Sequence, residues 1–168
     1  MNRMIEGLET SDPGDALSGR PTLNDERALH DLVLESAASA FRSPRWSLVR
    51  NTPERATFGV APGLYPDLVA LDASGESVAW IFEVGTPESV ADDDEWQRWR
   101  RLAETGLPFV VAVPSECGRM AEDLARMLEF RFGLIYEFAL TQDGVRMEPL
   151  ERPDAARCIS EPRGGRVA

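Results

Sequence analysis

The chain has 168 residues, 43% apolar and 28% charged, which excludes a disordered or fibrous protein and suits one hydrophobic core. No run approaches about 18 apolar residues, so no membrane-spanning helix is expected; nor is a secretory signal in Met1 to Gly19, and the expected location is cytoplasmic. A net charge of −11 excludes charge-driven binding of nucleic acid over the whole surface and leaves only local patches for it.

Residues 1–21, with Gly7, Pro13, Gly14, Gly19 and Pro21, read as a flexible leader. Asn24 is the expected N-cap of a first helix, in which Leu29, Leu32, Val33, Ala37, Ala40 and Phe41 recur at helical spacing up to Ser43-Pro44. Trp46 to Val49 is a short extended run, and 51–63 is a loop with an irregular strand around Phe58. Tyr65 to Asp72 and Ser77 to Val84 are β-rich runs around Ala73-Ser74-Gly75 and predict an antiparallel hairpin. A single helix is expected within Pro87 to Glu104, with acids at its start and arginines at its end to suit the helix dipole. Pro108 to Val113 reads as a buried strand, Ser115 to Phe130 as a helix and Leu134 to Leu140 as a strand. Gln142-Asp143-Gly144 then turns into a short strand near Val145 to Met147. Residues 149–168 read as a disordered tail, leaving 22–148 as one α/β domain with a mixed sheet in the order α-β-β-β-α-β-α-β.

Two features limit the chemistry. Cys117 and Cys158 are too few and too far apart for a disulfide framework or a thiolate metal site; Cys117 is expected on a helix and Cys158 in the tail. All 18 basic residues are arginine, so any mechanism that needs a lysine is excluded. Charge is also uneven: residues 66–95 carry nine acids and no base, whereas Arg42, Arg45, Arg50 and Arg55 face only Glu54.

A three-residue loop at Ser74 to Glu76 would make hairpin partners sum to 150, placing Asp67 opposite Glu83. Opposed residues share a face with Cβ atoms about 4.5–5.5 Å apart, where two carboxylates repel unless a cation lies between them. A Mg²⁺ or Mn²⁺ ion suits such hard oxygen ligands. The competing reading is a two-residue turn that sends the two acids to opposite faces, and a buried pairing of either acid with an arginine would also remove the metal corner.

Tyr65-Pro66-Asp67 followed by Ile81-Phe82-Glu83-Val84-Gly85 resembles the PD-(D/E)XK nuclease superfamily, of restriction endonuclease-like fold. Glu83 to Val90, Trp96-Gln97 and Pro108-Phe109-Val110 extend the resemblance, over about 24–140, to a small prokaryotic branch in which the motif lysine is often missing. The resemblance implies that Asp67 and Glu83 hold catalytic Mg²⁺ or Mn²⁺ and that Gln97 lies near the site; the lysine position falls on Gly85. Arg98 or Arg101 would stabilise charge on a phosphate, although arginine is a poor base.

Glu26 or Glu35 would offer a third carboxylate if it is not a surface charge, and His30 reads as a helix-boundary residue rather than a ligand. Asp92 to Glu95 serve a helix start, with Asp94 expected to pair with Arg98 at i,i+4. Trp80, Trp96 and Trp99 are expected in the core rather than stacked on bases. Two functions follow: phosphodiester hydrolysis of nucleic acid, weak or lost without the lysine, or an inactive nuclease-fold module that binds protein or nucleic acid. Arg42, Arg45, Arg50, Arg55, Arg98 and Arg101 are the expected nucleic-acid contacts in either case.

Overall fold

The structure, a computed structural model, describes residues 25–52 and 55–150. The expected leader and Cys158 lie outside them. The elements are α1 (Glu26–Ala40), β1 (Trp46–Arg50), β2 (Leu68–Asp72), β3 (Val78–Val84), α2 (Pro87–Val90), α3 (Asp93–Glu104), β4 (Phe109–Pro114), α4 (Gly118–Met127), β5 (Leu134–Thr141) and β6 (Gly144–Pro149). The six strands form one mixed sheet in sequence order. β1, β2 and β3 pair antiparallel, β3, β4 and β5 parallel, and β6 returns antiparallel on β5.

Alternation along the strands divides the core into two. Leu68, Phe82, Val84, Ala112 and Phe138 meet Leu29, Val33, Leu34 and Ala37 of α1 on one face. On the other, Val69, Ile81, Val111, Val113 and Ile135 meet Trp96, Trp99 and Leu102 of α3 and Ala121 and Ala125 of α4. Both parallel connections therefore cross one face, and α1 alone among the described helices packs on the other.

Several boundaries differ from expectation. The N-cap of α1 is Asp25, whose carboxylate accepts from the Ala28 N–H at 3.3 Å. The single helix expected over Pro87 to Glu104 is two, because Ala91 closes α2 and the Asp92 side chain caps α3 through the Asp94 N–H at 2.9 Å. The segment around Phe58 forms no strand. The last strand reaches Pro149, and Leu150 is buried with its N–H on the Ile135 carbonyl, so the fold runs past the expected start of the tail.

The hairpin reaches the expected register by a different route. Asp72 N–H meets the Ser77 carbonyl at 2.8 Å, so the turn is Ala73 to Glu76, one residue longer than expected. The Asp72 carboxylate organises it by accepting from Ser74 and Glu76, and Gly75 takes a φ of 76°. That turn alone would slip the register by one. A bulge restores it: Leu71 pairs with Val78 but Ala70 with Trp80, leaving Ala79 as the extra residue, and Leu68 then lies opposite Phe82.

Candidate functional site

Asp67 lies one residue before β2 and Glu83 one residue before the end of β3, so the restored register brings them together. Each carboxylate accepts from the other strand's backbone. The Asp67 N–H donates to Glu83 Oε1 at 3.2 Å, and the Val84 N–H donates to Asp67 Oδ2 at 2.8 Å. Asn51, buried at the end of β1, braces this corner: its amide donates to the Pro66 carbonyl at 2.6 Å, and its N–H donates to the Asp67 carbonyl at 3.0 Å.

The cation between the strands is a guanidinium. Arg98, in the second turn of α3, donates through Nη1 to Glu83 Oε2 and through Nη2 to Glu83 Oε1 at 2.9 Å. The same group donates to Glu95 Oε1 at 2.7 Å and to the Tyr65 carbonyl at 3.0 Å. The expected Asp94–Arg98 pair is thus replaced by an i,i+3 pair with Glu95, since the guanidinium turns inward to the buried acid. Glu83 is only 1% exposed, and burial, then the Asp67 charge, push its carboxyl above the usual range while Arg98 pulls the other way. A buried carboxylate needs such a fork, because unpaired charge in the interior is costly.

Asp67 has its own cation. His30 Nε2 of α1 lies 3.2 Å from Asp67 Oδ2, and its Nδ1 lies 3.4 Å from Asp31 Oδ1. Burial opposes the charged imidazole, but the hydrogen bonds and charges of Asp67 and Asp31 prevail and raise its pKa to about 9. Asp67 and Glu83 therefore each have a base as partner, and each base also meets a second acid, Asp31 for His30 and Glu95 for Arg98. With Glu26, Thr86, Ser89 and Glu95 these groups line a cleft of about 340 Å³. Glu26 accepts from the Thr86 hydroxyl, which holds its carboxyl below the usual range.

The remaining expected residues separate into those near the corner and those away from it. Glu26 reaches the cleft, whereas Glu35 pairs with Arg50 at 2.8 Å on the flank of α1. Gln97 does not reach it: helix periodicity turns its exposed side chain toward α4, beside Met120 and Leu124. Trp96 and Trp99 are buried as expected, but Trp80 is only half-buried. Arg42, Arg45, Arg55 and Arg101 are exposed and apart from the cleft. Cys117 precedes α4 as its N-cap, a half-buried free thiol rather than a residue within the helix.

His30 is a partner of Asp67 rather than a helix-boundary residue, and nothing in the sequence marks Thr86 or Asn51 as part of the corner. One signal was available for the Glu83–Arg98 pair: a glutamate within Ile81-Phe82-Glu83-Val84 is destined for burial, and buried charge demands a partner. Gly85 has a packing reason. A Cβ there would lie 2.8 Å from Trp99 Cη2 and 3.0 Å from Val113 Cγ1, so the position that carries lysine in the resembled motif is closed by the α3 indole.

The residues fit a divalent metal poorly. Both Glu83 oxygens are held by Arg98, and Asp67 Oδ2 is shared by His30 and the Val84 N–H. Among the described residues no group of three or more His, Cys, Asp or Glu is arranged to hold a metal ion. No family model, curated protein or solved structure matches the chain.

Proposed function

We propose that this is a nuclease-fold module that binds nucleic acid without cutting it. The observation that carries the reading is the two-pronged hold of Arg98 on the buried Glu83, which places a fixed positive charge where hydrolysis would need a metal-bound water. Three further features support it. The Pro66-Asp67 and Glu83 spacing resembles the PD-(D/E)XK pattern, Gly85 has no room for a lysine, and Arg42, Arg45 and Arg101 present charge on an otherwise acidic chain.

Incubation with single- and double-stranded DNA and RNA in Mg²⁺ or Mn²⁺ tests the reading. Retarded but intact nucleic acid is expected in gel shifts at low salt. Metal-dependent cleavage that disappears in Asp67→Asn would contradict it and favour hydrolysis, which requires Arg98 to leave Glu83.

A further inference from the structure

The sheet face beneath α1 is not fully covered. Beyond the end of the helix, Phe41, Trp46, Trp80, Val110 and Tyr136 line an apolar groove of about 360 Å³. Trp80 meets Phe41 edge-on with centroids 5.5 Å apart, and meets Trp46 at 5.9 Å and 82°. These rings stand as perpendicular walls rather than as a closed stack. No charged residue lines the groove, so a cation would find aromatic faces but no carboxylate to hold it.

Trp46 is also a wall of a second depression, of about 330 Å³, with Arg42, Ser43 and Arg50. Arg50 directs Nη1 to Glu35 at 2.8 Å and Nη2 to Asp31 at 3.6 Å, which leaves its buried Nε without a hydrogen-bond partner. Among the described residues, neither Arg42 nor Arg45 pairs with a carboxylate. An aromatic slot and an anion-seeking depression thus share the indole of Trp46, at the end of α1 opposite to its Glu26 terminus in the acidic cleft.

We propose that single-stranded nucleic acid binds across Trp46, with one base in the aromatic groove and the adjoining phosphates at Arg42 and Arg45. This rests on the nucleic-acid reading above and names its substrate class. A base stacks on any aromatic face irrespective of sequence, and rim arginines take the backbone charge. A base paired within a duplex cannot enter the slot, so the preference is for single strands.

Fluorescence anisotropy with labelled oligo-dT of about a dozen nucleotides, at low salt and beside a duplex of equal length, tests this. Wild type is expected to bind the single strand more tightly than the duplex, with quenching of tryptophan emission. Trp46→Leu should weaken binding by about tenfold or more. The exposed changes Arg42→Gln and Arg45→Gln keep the test independent of folding; each should weaken binding and reduce the slope of log affinity against log salt by about 0.7. If oligo-dT binds but all three variants bind as wild type does, the groove assignment falls and the nucleic-acid reading stands. If no oligonucleotide binds at all, both fall. Capture of an acidic aromatic peptide with no oligo-dT binding would make the groove a protein-docking site and overturn the proposal.

Discussion

At the scale of single residues, the corner is governed by how buried charge is matched. Arg98 serves Glu83, Glu95 and the Tyr65 carbonyl at once, so Arg98→Met strands a carboxylate that is 1% exposed. The expected loss is about 3 kcal/mol in chemical denaturation, and Glu83→Gln in the same chain should recover most of it, because the orphaned charge goes with it. A double variant no more stable than Arg98→Met would refute the pairing. His30 acts by titration: a folded pKa of about 9 against an ordinary 6.5 means that its stabilisation is complete below about pH 6.5 and is lost as pH rises through about 9. The unfolding free energies of wild type and His30→Asn should therefore differ by up to roughly 3 kcal/mol at pH 6 and converge by about pH 10. A gap that stays constant with pH would show that the imidazole is not charged there. The sequence exposed both acids through a motif of few letters, but the bases that match them come from two helices that no spacing rule ties to the hairpin.

At the scale of elements, the corner depends on how β3 meets its neighbours. The bulge at Ala79 cancels the slip of the longer turn; without it Glu83 would face α1 rather than Arg98. The sum of 150 was legible from the two β-rich runs, whereas the bulge was not, since a longer turn with a bulge and a shorter turn without one give the same distal pairing. The division of the expected helix at Asp92 was equally hidden, because the acids that suit a helix start also suit a cap. α3 packs against β3 and β4 with Trp99 lying over Gly85, an approach that leaves no room for a Cβ. Gly85→Ala should cost about 1–3 kcal/mol of stability, and Gly85→Lys should confer no metal-dependent cleavage, because the added side chain starts in the core under α3. Wild-type stability in Gly85→Ala would show that the indole moves aside easily.

At the scale of the whole molecule, the mixed α/β class was legible because apolar residues recur at helical spacing in α1 and α4 while β4 is a continuous apolar run. The uneven cover of the sheet was not. That Trp46 and Trp80 line a groove rather than close into the core depends on where α1 stops relative to six strands, a tertiary outcome with no local signature. With a net charge of −11 the surface repels polyanions in general, so binding must be confined to the arginines around Trp46 and be steeply salt-dependent.

Protein cations, not a metal, neutralise Asp67 and Glu83. Calorimetric titration of Mn²⁺ into wild type and Asp67→Asn at neutral pH tests it most directly. No saturable binding tighter than about 1 mM is expected in either protein. One site of micromolar affinity in wild type that is lost in Asp67→Asn would show instead that the two carboxylates hold a metal ion.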